Sequence, residues 1–147
     1  MSLPRKHVFF DLDRTLWDFD TNSKKALKTI FSALKLEVIF GSFDRFYNAY
    51  VPHNARLWGL YSKGQLTKEI LRYERFYATL KQFHKDDLYL AQQMAEQYVS
   101  ISPLQTGLFP GTIACLNELK KKPEQINPFF LDKMVNIILK QTDLCTQ

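Results

Sequence analysis

Asp11 and Asp13 stand two residues apart, directly after an apolar run at 8–10. Two carboxylates at this spacing suit Mg²⁺, which prefers oxygen ligands and is commonly held by one or two carboxylates together with phosphate oxygens. One carboxylate could also attack phosphorus while the other donates and accepts protons. The hydroxyl of Thr15, two residues further on, could support the turn or a phosphate group. The alternative is a structural turn in which the aspartates cap the end of a strand.

The acidic pair needs an element that presents it, and the preceding residues predict one. Residues 6–12 form an apolar segment that is typical of a short strand buried on both faces. Because ligands collect at the ends of strands in parallel sheets, we expect the pair at such an edge. The polar and aromatic residues after Thr15 predict a loop. A lone buried strand cannot satisfy its backbone hydrogen bonds, so further strands are required.

Helical patterns dominate the residues that follow this loop. Apolar residues at helical spacing predict four helices, at about 22–36, 43–61, 67–83 and, opening at Asp86 or Asp87, up to about 99. We expect Asp20 or Thr21 to cap the first helix and Thr67 to cap the third. Pro52 should kink or split the second helix. The aromatic residues at helical spacing within 43–50 predict a helix-packing surface.

The remaining residues predict one short helix and an uncertain tail. A break at 103–107 ends the helical block, and a short helix is predicted from Thr112 to Lys121. Pro123 should stop that helix. Residues after 123 favour a further helix, although the apolar run at 135–139 leaves a strand open.

Composition excludes several classes of protein. Of the 147 residues, 46% are hydrophobic and 24% charged, which suits a soluble globular domain with a real core. The net charge of +5 comes from scattered cations, apart from a lysine run at 120–122, so binding to a nucleic-acid polymer is not indicated. Two cysteines are too few for a disulfide framework or a zinc site. With no apolar segment of about 18 residues, the sequence predicts a cytoplasmic protein without membrane attachment.

Residues 11–15 carry a resemblance to a known family. Their sequence, D-L-D-R-T after an apolar strand, resembles motif I of the haloacid dehalogenase (HAD) superfamily, D-x-D-x-[TV]. The helical block is similar to the four-helix cap of subclass I members, and residues 108–111, L-F-P-G, resemble their return to the core domain. The aromatic surroundings of Trp17 and Trp58 are most similar to the bacterial nucleotidase branch active on pyrimidine nucleotides. The resemblance covers residues 6–122.

The resemblance implies a fold and a division of the chain. It implies an α/β HAD-like fold, with a Rossmannoid core that is incomplete here and an inserted α-helical cap, in a chain that is itself predominantly α. The implied parts are the first core strand with the catalytic loop, the helical cap, the return to the core with its short helix, and an atypical tail. They occupy residues 1–19, 20–102, 103–122 and 123–147 respectively.

The resemblance also implies roles for the residues of motif I. Asp11 would be the nucleophile that forms an aspartyl-phosphate, and Asp13 the general acid and base. Asp11 and the backbone carbonyl of Asp13 would hold Mg²⁺, and Thr15 would orient the loop. Members that cleave carbon–halogen bonds lack an acid at the position of Asp13. A phosphohydrolase acting on a small phosphomonoester, such as a nucleoside monophosphate, is therefore favoured, although Arg14 stands where Gly, Asp or Asn is more usual.

Three further side chains could shape a substrate pocket. Trp17 and Trp58 could stack on a base, and Arg56 could pair with an anion. The alternative is that the tryptophans pack inside the protein and that Arg56 is solvated.

The residues after Lys122 depart from the family pattern. Complete members continue with a second strand ending in Ser or Thr, then a Lys, then an acidic pair, and 123–147 shows none of these convincingly. We therefore expect a truncated copy with weak or no phosphatase activity, and a homodimer that covers the incomplete core. The alternative function is a non-enzymatic helical remnant that acts in self-association or protein binding. A phosphotransferase of the same superfamily is a third hypothesis.

Overall fold

The structure is a computed structural model that describes residues 11–121, with only the backbone of Lys120. These residues form six α-helices and one 3₁₀ turn at Ser102–Leu104. The helices are α1 (Phe19–Ala33), α2 (Glu37–Phe40), α3 (Phe43–Ser62), α4 (Lys68–Gln82), α5 (Leu88–Ile101) and α6 (Thr112–Lys120). Within the same range, β structure is limited to two isolated bridges, which join Trp17 to Asp13 and to Leu108. The prediction that the chain is predominantly α is confirmed for this part of it.

Two of the predicted elements lie largely outside the described residues. The predicted strand at 6–12 enters the described range only at its last two residues, which have irregular structure. The predicted tail at 123–147 lies wholly outside it. Between these limits, none of the helices is long and apolar enough to cross a membrane.

The chain divides into two compact units. The helical unit comprises residues 25–103, and the loop unit comprises residues 11–24 and 104–121 of the described range. One division falls inside α1, after Lys24, and the other follows Pro103. The predicted boundaries at residues 19, 102 and 122 stay predictions.

Side-chain caps fix where four of the helices begin: Asp18 for α1, Ser42 for α3, Thr67 for α4 and Asp87 for α5. The carboxylates or hydroxyls of the residues before them accept backbone N–H groups that would otherwise lack a partner. Thr67 accepts from Ile70 at 3.4 Å, so the predicted cap of α4 is confirmed. Asp87 accepts from Leu90 at 2.9 Å, so of the two residues predicted to open the fourth predicted helix, it is Asp87 that caps α5. The prediction for α1 was wrong, because Asp18 rather than Asp20 or Thr21 stands before the helix. Its carboxylate accepts the N–H of Thr21 at 3.1 Å.

The helical unit is built around a cluster of aromatic rings. The Phe46 side chain is fully buried, with ring centroids 5.0 Å from Phe40, 5.9 Å from Phe31 and 5.8 Å from Tyr50. Phe43 and Tyr47 pack against the same core. The predicted helix-packing surface within 43–50 is therefore confirmed. Aromatic burial of this kind supplies much of the free energy that holds short helices together.

Pro52 does not split α3, contrary to one of our two expectations. The helix is continuous from Phe43 to Ser62 with Pro52 inside it. Proline removes one ladder hydrogen bond, but buried residues on both sides of it, Tyr50 and Leu57, anchor the helix to the core. Tertiary packing thus outweighs the local cost of the proline.

This cost predicts that Pro52→Ala stabilises the helical unit. Alanine restores the missing N–H and removes the ring, so we expect a gain of about 1–3 kcal/mol in the free energy of unfolding. Urea unfolding followed by circular dichroism measures it. Gly59→Ala is the matched control in the same helix, since a Cβ there meets nothing within 4 Å. It should gain only about 0.5–1 kcal/mol, and a Pro52→Ala variant less stable than the parent would contradict the expectation.

Candidate active site

The predicted catalytic residues lie on a tightly folded loop, residues 11–18. The carbonyl of Leu12 accepts hydrogen bonds from the backbone N–H groups of Leu16 at 3.0 Å and Trp17 at 2.9 Å. The N–H of Arg14 donates to the carbonyl of Trp17 at 3.0 Å. These bonds turn the chain back on itself and pair Asp13 with Trp17 in a parallel bridge. The 11–18 loop therefore has a backbone shape fixed largely by its own hydrogen bonds.

Arg14 adopts a backbone conformation that its residue type does not favour. Its φ of 61° lies in the left-handed region, which Gly, Asn and Asp adopt more readily than other residues. Its side chain pairs with Asp20 at 2.9 Å and lies over the ring of Phe19 at 4.7 Å. The hydrogen bond to Asp20 raises the pKa of the Arg14 guanidinium. These contacts are exposed to solvent, so they contribute little to stability.

The two carboxylates and the hydroxyl of motif I are all exposed to solvent. The Thr15 hydroxyl donates to Oδ2 of Asp11 at 3.4 Å, a long hydrogen bond. Among residues 11–121, neither Asp11 nor Asp13 forms an ion pair with a lysine or arginine. The structure thus brings Thr15 onto Asp11 and leaves both carboxylates open to a ligand. Their roles as nucleophile and acid/base stay predictions.

The donor chemistry of these residues fits Mg²⁺ in part. Asp11 and Asp13 offer oxygen atoms of the type that Mg²⁺ prefers, and such sites commonly complete the coordination with waters and phosphate oxygens. No cluster of three or more His, Cys, Asp or Glu side chains occurs within residues 11–121. That Asp11 and the carbonyl of Asp13 would hold the ion stays a prediction.

A second segment, residues 105–112, fastens the 11–18 loop from one side. The indole N–H of Trp17 donates to the carbonyl of Gln105 at 2.8 Å. The carbonyl of Leu16 accepts two hydrogen bonds, from the Thr112 hydroxyl at 3.2 Å and from the backbone N–H of Phe109 at 3.1 Å. Leu16 and Thr112 are both buried. The second half of the loop is thereby tied to the start of α6 by bonds that water does not reach freely.

Two hydrogen bonds join the side chain of Asn22 to the backbone of Gly107 within the loop unit. The buried carboxamide of Asn22 donates from Nδ2 to the carbonyl of Gly107 at 2.7 Å, and its Oδ1 accepts the N–H of Gly107 at 2.9 Å. The same carbonyl accepts the backbone N–H of Asp18 at 3.0 Å. We call this the Asn22–Gly107 clip. The sequence did not indicate this contact. It predicted only that Asn22 starts a helix and that Gly107 belongs to a break between helices.

The residues predicted to contact substrate have mixed surroundings. Trp17 is half-buried, and its indole N–H already has the Gln105 carbonyl as partner. Arg56 and Trp58 lie on α3 in the helical unit, both exposed, with Trp58 edge-on to Tyr61 at 5.5 Å. A substrate role for these three side chains stays a prediction.

The buried cation of the helical unit is Arg75, which the sequence did not single out. Its Nη1 donates to Oδ1 of Asn54 at 3.2 Å, and its guanidinium lies 4.6 Å from the ring centre of Tyr98. The Tyr50 hydroxyl donates to the same Asn54 oxygen at 3.2 Å. Burial raises the pKa of the Tyr50 phenol well above its usual range. This polar cluster ties α3, α4 and α5 together through hydrogen bonds and ring contacts.

Comparison with solved structures identifies the fold. The chain is similar to YfnB from Bacillus subtilis, which is assigned as a HAD-hydrolase and was solved bound to magnesium. The TM-score is 0.72 at 20% sequence identity, over 81% of this chain and 50% of YfnB. The chain thus has a HAD-like fold and spans half the length of the structure it matches. No family model matches the chain, and no curated protein matches it.

Proposed function

We propose that this chain belongs to a HAD-type, Mg²⁺-dependent phosphohydrolase of subclass I, with residues 20–102 as its helical cap. The observation that carries the proposal is the 11–18 loop, which presents the open carboxylates of Asp11 and Asp13 on a rigid backbone within a HAD-like fold. The magnesium described for YfnB supports Mg²⁺ as the cofactor. The pyrimidine-nucleotidase branch is the finer assignment that we propose from motif I and its aromatic surroundings.

The proposed chemistry uses the two carboxylates in turn. A carboxylate oxygen of Asp11 attacks phosphorus, forming an O–P bond while the bond to the leaving oxygen breaks. Asp13 gives its proton to that leaving oxygen. It then takes a proton from the water that attacks the phosphoryl group, so that Asp11 is regenerated and phosphate leaves. Mg²⁺, when bound, would supply positive charge beside the phosphoryl oxygens.

The local contacts fit these two roles. Thr15 lies against Asp11 and could hold that carboxylate in one orientation. Asp13 belongs to the bridge with Trp17, which fixes its backbone carbonyl relative to the rest of the loop. A nucleophile and an acid held on one rigid turn can act on the same phosphoryl group with little loss of entropy.

We propose a small phosphomonoester, such as a nucleoside monophosphate, as the substrate, and the cytoplasm as the location. Trp17 and Trp58 would offer aromatic faces to a base, and Arg56 a cation to an anionic group. We also propose that two copies of the chain associate. We also propose that turnover by the 147-residue chain is slow.

Metal removal tests this function. We expect slow release of p-nitrophenolate from p-nitrophenyl phosphate with Mg²⁺, loss of that release in excess chelator, and its return when Mg²⁺ is restored. A panel of substrates refines it: nucleoside monophosphates should be cleaved, and a haloacid should not. Hydrolysis that is unaffected by chelation, or the absence of both hydrolysis and Mg²⁺ binding, would contradict the proposal and favour the non-enzymatic alternative. Transfer of phosphate to an added alcohol in place of water would favour the phosphotransferase.

A further inference from the structure

We propose that Asn22 is a positioning residue, which sets the 11–18 loop in its working shape by clipping it to Gly107. This inference rests on the proposed function, because it concerns the loop that carries Asp11 and Asp13. Asn22 touches neither carboxylate in the described contacts. It would act through the backbone that joins them to α1.

The hydrogen bonds of the clip require an asparagine at position 22. Both polar atoms of the Asn22 carboxamide are used, one as donor and one as acceptor, on the two backbone groups of a single residue. Asn22 is fully buried, so water does not compete for these bonds. An aspartate there could accept from the N–H of Gly107 but would face its carbonyl with a second acceptor. The arrangement therefore selects an amide of this length.

The clip also requires a glycine at position 107, because a larger residue would clash with Asn22. A Cβ on residue 107 would lie 2.5 Å from Oδ1 of Asn22, closer than real Cβ contacts, and a tight 3.2 Å from its Cγ. Asn22 is held in the first turns of α1 and has no open space to move into, since its side chain is fully buried. Alanine at 107 should therefore break the clip as effectively as removal of the carboxamide. The two substitutions report on one contact.

The clip is connected to Asp13 by further backbone and side-chain hydrogen bonds of the 11–18 loop. The Gly107 carbonyl also accepts the N–H of Asp18, the last residue of the loop. From there the Trp17 indole is held by Gln105, and the Trp17 backbone is bridged to Asp13. Loss of the clip should loosen this chain of bonds and misplace Asp13 relative to Asp11. A displacement of about 1 Å at a reacting group can cost about a hundredfold in rate.

Kinetics and one spectroscopic signal test the proposal together. We expect Asn22→Ala and Gly107→Ala each to lower kcat for p-nitrophenyl phosphate by about 10- to 100-fold, with KM within about threefold of the parent value. Hydrogen exchange of the Trp17 indole N–H, followed by NMR, should accelerate at least about tenfold as its bond to Gln105 opens more often. Trp58→Phe identifies which of the two indole signals belongs to Trp17.

The double variant gives the sharpest comparison. In an Asn22→Ala background the new Cβ at residue 107 no longer meets the carboxamide, so adding Gly107→Ala should lower kcat by less than about twofold more. Leu80→Ala in the helical unit is the control for general destabilisation, and should leave kcat and the Trp17 exchange rate unchanged in the folded protein. Should Asn22→Ala not fold, Asn22→Ser carries the same comparison.

The outcomes separate this inference from the proposed function. Unchanged kcat in Asn22→Ala, fully multiplicative losses in the double variant, or equal losses in Leu80→Ala would each overturn the positioning role. If the parent shows neither turnover that depends on Asp11 nor Mg²⁺ binding, the proposed function fails. The exchange rate of the Trp17 indole in the two single variants and the double variant then still decides whether the clip holds the loop.

Discussion

Asp11→Asn is expected to abolish Mg²⁺-dependent hydrolysis of p-nitrophenyl phosphate, with a loss of at least about a thousandfold. The amide keeps the shape of the side chain but has no carboxylate oxygen to attack phosphorus. Asp11 is exposed, and among residues 11–121 its side chain accepts one long hydrogen bond, from Thr15, so we expect the fold of this part of the chain to be unaffected. Initial rates at high protein concentration measure the effect, since the parent rate is expected to be low.

Two further variants make this result specific. Asp13→Asn should lower turnover by about 10²- to 10⁴-fold, as expected when a general acid and base is lost. Asp44→Asn, on an exposed carboxylate in the first turn of α3, should leave the rate unchanged. Turnover that persists in Asp11→Asn at the parent rate would mean that the hydrolysis has another source, or that another group is the nucleophile.

Phe46→Ala should cost the helical unit about 3–5 kcal/mol in its free energy of unfolding. Phe46 is fully buried and its ring lies within about 6 Å of four other aromatic rings, those of Phe31, Phe40, Phe43 and Tyr50. Truncation to alanine removes the buried apolar area and leaves a cavity that rigid neighbouring rings can fill only in part. Urea unfolding, followed by the helical circular dichroism signal, measures the loss.

An exposed apolar residue provides the control for this core variant. Val38 is 86% exposed, so Val38→Ala should change the stability by no more than about 0.5 kcal/mol. A loss as small as that in Phe46→Ala would mean that its ring is not buried among the others. Phe46 would then not pack against Phe31 of α1 and Phe40 of α2.

The sequence predicted the parts of this chain that depend on local chemistry. The apolar period of α4 and the caps Thr67 and Asp87 act within one turn of helix, so their effects can be found without knowing what packs against them. The aromatic spacing within 43–50 was equally informative, because helical spacing places those rings on one face. Motif I was recognisable for a similar reason, since its acidic residues lie only two positions apart in the sequence.

The sequence could not predict features that depend on distant residues. Asn22 and Gly107 are far apart along the chain, and nothing near either of them signals the other. The continuity of α3 through Pro52 depends on core contacts that local propensity ignores. Arg75 resembles any other arginine on a helix until α3 and α5 are seen to bury it.

Capture of the phosphoryl group tests the central claim, that Asp11 is a nucleophile, most directly. The protein is incubated with Mg²⁺ and phosphorus-radiolabelled p-nitrophenyl phosphate, quenched in acid during the first turnover, and digested. We predict a hydroxylamine-labile label on the peptide that contains Asp11, absent in Asp11→Asn and longer-lived in Asp13→Asn. Turnover without label on that peptide, or with the label on another residue, would contradict the account.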